Sequence, residues 1–465
     1  MPRVSGVSTG QRIVGAVNSY EQLRPILEPS SIAVVGISRS GKQGAVFLQG
    51  LLDPGFKGEV FVVNPSASEI MGVRAYPSIR ELPKRPDLAV LTLPAEPAIE
   101  VVRQCAAAGV PGVAMFTAGF NELGTPEGDQ RAEELLDAAG GKTRIIGPNG
   151  MGVYNPARGV AMFGGMPAKV GGVGLISQSG SLVQFLVRAV AGRGLGFSKA
   201  ISMGNQLDLN AADYLEYFAE DPATTVIGAY IEGVPDGRRF QAALRKAAAA
   251  KPVVIWKAGR VPAGAKAAQS HTGQLAGSYA VWQGLARQAG AVLVREADEL
   301  VDMVAAASAI AGRPTGRRIV IVTGPGGPAV SASDACEEVG LTLARLGGET
   351  KARLRELVAA AGTSVGNPID VGMVLVGATE VYGRCLNLAL GDSQVDAAVV
   401  IGGARDDAEG FARMLVEAHR ESGKPVMYAL AEEGGPSQAA LADGGVATAP
   451  SAERCLRAYA RVVGR

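Results

Sequence analysis

From Ser31 onward, short β-branched runs alternate with Ala-, Leu- and Arg-rich stretches of helical period. The runs Ile32 to Ile37, Val60 to Asn64, Leu88 to Pro94, Val113 to Thr117 and Ile145 to Pro148 read as buried parallel strands. Strands that alternate with helices predict a doubly wound α/β layer, whose active edge lies where the strands end. The turns directly after those runs are therefore the places to look for chemistry.

After about residue 165 the pattern restarts, and two later segments resemble each other. Val173 to Ser181 and Ile319 to Pro328 each carry a strand-like run through a Gly-rich turn into a helix. Gly204-Asn205-Gln206-Leu207-Asp208 is echoed by Gly366-Asn367-Pro368-Ile369-Asp370, and Lys251-Pro252-Val253-Val254 by Lys424-Pro425-Val426-Met427. The order is the same in both, which predicts an internal duplication. The expected division is a flexible lead over 1–20, a Rossmann-like domain over 21–164, and two flavodoxin-like domains over 165–312 and 313–465. Their linker is expected near Ala311 to Arg317.

Composition narrows the function. A chain of 465 residues is long enough for about three domains. Aromatics at 5% and 63 glycines favour an aliphatic, turn-rich α/β protein over a β-sandwich. A formal charge of +1 provides no broad basic field for nucleic acid. Cys105, Cys336, Cys385 and Cys455 are scattered, with neither zinc-ligand spacing nor a disulfide framework, which fits a reducing cytoplasm. The first twenty residues lack the apolar core of a signal peptide, and no unbroken apolar run is long enough to span a bilayer, so a soluble protein is expected.

Four places carry candidate chemistry. The first is the loop Gly36 to Gly44, where glycines admit a phosphate to backbone amides and Arg39 and Lys42 add charge. Gln43 stands where a P-loop needs a hydroxyl for magnesium. The loop is also not G-x-G-x-x-G, and the second strand ends in Asn64-Pro65 rather than in an acid for a ribose. A stand-alone NTPase and a nicotinamide enzyme are both disfavoured.

The second place is a pair of helix starts, one at Ser177, Gln178, Ser179 and Gly180, the other at Gly324, Gly326 and Gly327. Each offers unpaired N–H groups and about half a positive charge, and two such ends facing each other would hold one phosphoryl group. Leu175 breaks the G-x-S-x-G pattern of a serine-hydrolase elbow around Ser177. The third is His271, read as part of a small-residue loop before a helix containing Trp282 and absent from the second copy of the duplication. It reads as a nucleophile or base. His419, the other histidine, reads as an exposed helix residue. The fourth is Glu232, a strand-end carboxylate able to accept the Nδ1 proton of His271 and leave Nε2 free.

Taken together, Ser270-His271-Thr272-Gly273 with Leu275-Ala276-Gly277-Ser278, Glu232, Ser177 to Gly180 and Gly324 to Gly327 resemble the α subunit of the diphosphate-forming acyl-CoA synthetases, relatives of succinyl-CoA synthetase. The resemblance runs from about Leu27 to the C-terminus. It implies that the first domain binds CoA through Gly36, Ser38, Arg39, Lys42 and Gly44, through Asn64 and Pro65, through Leu93 and Pro94, and through Thr117, Ala118, Gly119 and Asn149. It further implies that phosphate attacks an acyl-CoA, that His271 takes the phosphoryl group from the acyl phosphate, and that a nucleoside diphosphate then receives it. No metal ligand is implied on this chain.

The family often has Cys or Ser where Gly150 stands here. No ATP-grasp module follows in the sequence, so an ATP-grasp β subunit is the expected partner, bringing ATP or ADP and Mg2+ within a hetero-oligomer or around a homodimer. Small carboxylic acids, acyl-CoA and phosphate are the expected substrates, with neither nucleic acid nor membrane. A regulatory protein that binds CoA without chemistry is the alternative, and an enzyme working alone on acyl-CoA or acyl phosphate is a third reading.

Overall fold

A computed structural model describes residues 19–37, 44–161, 164–272, 277–324, 326–358, 364–372, 377–403, 407–429 and 436–465. The first unit opens with α1 (Ser19–Leu27) and alternates strands and helices: β1 (Ser31–Val35), α2 (Ala45–Leu52), β2 (Glu59–Val63), β3 (Glu69–Ile70), β4 (Val73–Tyr76), β5 (Leu88–Leu91), α3 (Ala95–Ala108), β6 (Gly112–Met115), α4 (Pro126–Ala139) and β7 (Arg144–Ile146). Its sheet order is β3-β4-β2-β1-β5-β6-β7, parallel except for the β3–β4 pair. Chain order reverses on either side of β1, which puts a crevice at the carboxyl ends of β1 and β5. The short β3–β4 pair was not expected from the sequence. With two and four residues and partly exposed faces, it carries no apolar run.

The second unit contains β8 (Gly152–Tyr154), β9 (Val170–Ser177), α5 (Gly180–Gly192), β10 (Phe197–Ser202), α6 (Ala211–Glu220), β11 (Val226–Ile231), α7 (Gly237–Ala250), β12 (Val253–Lys257), α8 (Pro262–Thr272), α9 (Tyr279–Ala289), β13 (Val292–Val294) and α10 (Ala297–Ile310). Its sheet order is β13-β12-β11-β9-β10-β8. Although β8 precedes residue 165, it joins this second sheet, antiparallel to β10. The chain leaves the first sheet at Gly147 to Gly150 and enters the next at once.

The third unit contains β14 (Arg318–Thr323), α11 (Gly326–Glu338), β15 (Thr342–Leu343), α12 (Gly348–Leu357), β16 (Ile369–Asp370), α13 (Ala378–Gly391), β17 (Ala397–Ile401), α14 (Ala408–Ser422), β18 (Val426–Ala429), α15 (Pro436–Asp443), β19 (Ala447–Ala449) and α16 (Ala452–Val463). Its order, β15-β14-β17-β18-β19 with β16 also on β14, matches β10-β9-β11-β12-β13 of the second unit. The likeness extends to single hydrogen bonds. Lys251 Nζ donates to the carbonyls of Phe218 and Asp221 at the end of α6, while Lys424 Nζ donates to those of Leu390 and Asp392 at the end of α13. In each copy a lysine before a Pro satisfies carbonyls that a helix end leaves open. Gly366 to Asp370 does depart from its counterpart, because Ile369–Asp370 pairs with β14 whereas Gly204 to Asp208 forms no strand.

Side chains mark the element boundaries. Thr125 caps α4 with Pro126 at its first turn, Asn210 and Asp213 form a capping box on α6, and Asp236 caps α7. The four cysteines are buried and free. No described helix is long and apolar enough to cross a membrane.

Two junctions fix the units. Between the first and second, Asp208 accepts from Arg144 Nε at 3.0 Å and from the Ile145 amide at 2.8 Å, and the amides of Asn205, Leu207 and Leu209 donate to the carbonyls of Pro148, Gly147 and Ile145. Nearby, Lys199 Nζ meets Glu28 at 2.9 Å and Asp221 at 3.0 Å. Between the second and third, α10 packs on α16, and buried Asp302 accepts from Arg193 at 3.2 Å and Arg454 at 2.5 Å.

His419 is a correction to the sequence reading: it is 0% exposed. Phe411, Leu415 and His419 lie at i, i+4 and i+8, on the face of α14 that packs inward. Its Nδ1 accepts from the Val426 amide at 3.2 Å, and burial holds its pKa down to about 4. Between pH 4 and the ordinary value of 6.5, the unfolded chain binds a proton that the folded chain does not. The contribution is therefore full above about pH 6.5 and is lost as the pH falls towards about 4, by up to about 3 kcal/mol. Denaturant titrations of the full chain across this range should show the loss, and His419→Gln should flatten it.

Candidate functional site

The residues proposed for CoA that are described lie at one sheet edge. Gly36 and Gly44 follow β1, Asn64 and Pro65 follow β2, Leu93 and Pro94 follow β5, Thr117, Ala118 and Gly119 follow β6, and Asn149 follows β7. Ser38, Arg39 and Lys42 lie outside the described residues. Gly36 has φ +98°, and a Cβ there would sit 2.8 Å from Leu93 Cγ, so only glycine lets the loop leave β1 this closely. Asn64 holds this edge together: its Nδ2 donates to the Ile37 carbonyl at 2.8 Å, and its Oδ1 accepts from the amides of Ser66 and Ala67. Thr117 Oγ1 is buried with no hydrogen-bond partner among the described residues, the condition of a polar atom awaiting a ligand. A crevice at a strand-order reversal, glycine approaches and an orphaned hydroxyl suit a nucleotide-bearing ligand such as CoA.

In the second unit, Ser177 ends β9 and Ser179 caps α5, its Oγ accepting from the Leu182 amide at 3.4 Å. Ser177 Oγ is occupied locally, donating to the Ser179 carbonyl at 2.8 Å. Gly180 is pressed on Met151, whose Cγ would lie 2.7 Å from a Cβ. Gly324, Gly326 and Gly327 occupy the corresponding place after β14, at the start of α11. Gly324 packs under Tyr382, whose hydroxyl would lie 2.6 Å from a Cβ.

Gln178 does something the sequence did not suggest. Its Oε1 accepts from the amides of Glu232 at 2.5 Å and Gly233 at 3.0 Å. The carbonyl of Glu232 accepts from Lys257 Nζ at 2.7 Å, and that of Gly233 from Gln206 Nε2 at 3.0 Å. Tyr230 donates its hydroxyl to Glu232 Oε1 at 3.1 Å. Four side chains, from the turn after β9, from β11, from β12 and from the 204–210 loop, thus clamp the two residues that follow β11. Glu232 is 5% exposed, so it is not a surface acid, and a buried carboxylate persists only when hydrogen-bonded or paired. The charge of Glu232 in turn raises the pKa of Tyr230, after the larger effect of burial.

His271 is the penultimate residue of α8, not part of a loop; its side chain lies outside the described residues. Pro262 starts α8, and Ala263, Ala265, Ala267 and Ala268 are strong helix formers that carry the helix through His271. This helix packs against the short turn Asn121–Leu123 of the first unit, two residues beyond Gly119. Glu122 in that turn accepts from the Gly119 amide at 2.5 Å and from Asn205 Nδ2 at 2.5 Å. The histidine-bearing helix and the proposed CoA edge therefore meet at one junction. Gln206, Lys257, Asn205 and Glu122 were missed because their meaning lies in contacts far apart in sequence. Among the described residues no group of three or more His, Cys, Asp or Glu could hold a metal.

Comparison with known proteins agrees with this architecture. A CoA binding domain model matches residues 30–156, a succinyl-CoA ligase like flavodoxin domain 170–307, and a ligase-CoA domain 319–440. The chain is 37% identical over 408 residues to acetate–CoA ligase [ADP-forming] II subunit alpha of Pyrococcus furiosus, covering 86% of this chain and 88% of that one. It is also 37% identical over 376 residues to acetate–CoA ligase [ADP-forming] I of Archaeoglobus fulgidus, covering 80% of this chain and 54% of that one. It thus spans about half the length of that relative. A dinucleotide forming acetyl-coenzyme A synthetase 1 of Ca. Korarchaeum cryptofilum, solved with phosphate and ADP, superposes with a TM-score of 0.84 at 33% identity, over 95% of this chain and 96% of that one.

Gly150 has a physical reason to be glycine here. A Cβ at this position would lie 2.7 Å from the Ser202 carbonyl oxygen and 3.2 Å from the Gly204 amide, where the first unit crosses onto the second. Gly150→Ser should therefore force the junction apart and destabilise the chain by about 1–3 kcal/mol. Thermal unfolding of the variant beside the parent checks this, and an unchanged midpoint would show that the junction yields.

Proposed function

The chain belongs to the ADP-forming acetate–CoA ligase family, and from that premise we propose that it is the part that binds CoA and carries a phosphoryl group on His271. The observation that carries this reading is the packing of α8 against Asn121–Leu123, which supports placing the histidine beside the proposed CoA edge. CoA would be held by the edge from Gly36 to Asn149 and supplies the thioester whose cleavage drives the reaction.

Orthophosphate attacks the acyl carbonyl of acyl-CoA, the C–S bond breaks, and the thiolate leaves as CoA. Next, an imidazole nitrogen of His271 attacks phosphorus of the acyl phosphate. A P–N bond forms as the P–O bond to the acyl group breaks, and the carboxylate leaves with the electron pair. Glu232 takes a hydrogen bond from the other ring nitrogen and stabilises the positive charge that develops there. The amides at the starts of α5 and α11 face the phosphoryl oxygens and neutralise them without reorganising. A nucleoside diphosphate then accepts the phosphoryl group at an ATP-grasp module with Mg2+, supplied by a partner subunit. The acid is a small carboxylate, and every step is reversible.

Incubation of the full chain with acetyl-CoA and labelled orthophosphate should yield acid-labile, alkali-stable label. His271→Ala should abolish it. Glu232→Gln, which keeps the shape and loses the charge, should slow its formation by about 10²-fold or more. A chain that binds CoA and never becomes labelled would be a regulatory CoA-binding protein instead.

A further inference from the structure

Lys257 ends β12 at 1% exposure, among the largest fully buried side chains of the protein. Among the described residues its ammonium is met by two main-chain oxygens and a ring rather than by a carboxylate. It donates to the Glu232 carbonyl at 2.7 Å and to the Ala258 carbonyl, and it lies 5.2 Å from the centre of the Trp282 ring. Lysine is rarely buried so deeply without an ion-pair partner, and one placed here needs a reason. Burial pushes its pKa down to about 8, with the Glu232 charge opposing.

Glu232 and a phosphoryl group are both anions, and the proposed chemistry asks them to share one histidine. At a few ångströms in a partly desolvated site, that repulsion works against binding the phosphoryl group. We propose that Lys257 is a positioning residue of the phosphoryl-transfer site, fixing the end of β11 through the Glu232 carbonyl and offsetting with its buried charge the anion that Glu232 must tolerate.

Two connections suit it to this task. Lys257 lies beside Ile231 in the sheet register, one residue before Glu232, so its charge is fixed relative to the carboxylate by strand pairing rather than by a flexible loop. Five residues later the chain enters α8, so the same lysine, through Ala258, steadies the approach to the histidine-bearing helix. No proton leaves Lys257 in the transfer. The P–N bond at His271 forms as the acyl P–O bond breaks, and the ammonium keeps its charge throughout.

This proposal rests on the phosphohistidine reading, and the test separates the two. The full chain and its Lys257→Gln and Lys257→Arg variants are titrated with orthophosphate by calorimetry, and each is followed for labelling of His271 as phosphate is varied, with CoA affinity measured alongside. Gln keeps a donor for the carbonyls without the charge, and Arg keeps the charge.

The expected result is that Lys257→Gln weakens orthophosphate binding and raises the phosphate needed for half-maximal labelling by about tenfold, the size of one charge at several ångströms. CoA affinity should be unchanged, and Lys257→Arg should recover most of the loss. The proposal is overturned if Lys257→Gln matches the parent in phosphate dependence, or if both variants lose CoA and phosphate affinity equally, as a purely structural peg would. Absence of label on the parent chain would refute the phosphohistidine reading and with it the transfer role of Lys257, while the calorimetric titration would still show whether the Lys257 charge supports phosphate binding.

Discussion

A strand-end acid that is almost fully withdrawn from water has to be fixed in place by its surroundings, and the architecture around Glu232 is built on that constraint. Its own carboxylate oxygen takes the hydroxyl of Tyr230, and the main chain of Glu232 and Gly233 is fixed from both sides, the amides by Gln178 and the carbonyls by Lys257 and Gln206. Each of these side chains is set by a different strand or loop. A shift in any one of β9, β11, β12 or the 204–210 loop is therefore felt at the carboxylate. Rigid support from behind is what a group needs if it is to orient an imidazole rather than follow it.

The same loop that supplies Gln206 also joins the first two units. The amides of Asn205, Leu207 and Leu209 donate to the carbonyls of Pro148, Gly147 and Ile145, and Asp208 takes Arg144, so the CoA-binding unit and the Glu232 clamp share one segment of chain. Gly204 has φ +54°, and a Cβ there would meet the Pro148 carbonyl at 2.1 Å, which shows how closely the two backbones cross. On the other side, Asp302 between Arg193 and Arg454 fixes the third unit through α10 and α16. The geometry of the site is in this way a consequence of interdomain packing, not of any single motif.

What could be read in the sequence was local. The apolar runs disclosed the strands, the Gly-rich turns disclosed the helix starts at Ser179 and Gly326, and the repeated order of motifs disclosed two sheets of matching strand order. Lys251 and Lys424 show the duplication down to the same helix-end carbonyls. Glu232 stood out as an acid at a strand end. Its burial did not, because burial depends on what the other strands and loops bring to it.

Lys257 and Gln206 were missed for the same reason: a lysine ending an apolar run and a glutamine in a turn have no meaning until strands 25 or more residues away are laid beside them. The small polar residues around His271 suggest a loop, whereas the alanines before it extend the helix. For His419 the sequence does carry a signal of burial, since it follows Phe411 and Leu415 at helical spacing. In the proposed mechanism His271, Glu232 and the starts of α5 and α11 converge on one phosphoryl group beside bound CoA. A crystal structure of the chain with CoA, after phosphorylation by acetyl-CoA and orthophosphate, tests it most directly. Phosphorus should lie on the His271 imidazole, with the Glu232 carboxylate on the other ring nitrogen and the amides after Ser179 on the phosphoryl oxygens. A phosphorylated His271 turned away from both, or CoA bound at another edge of the first sheet, would contradict it.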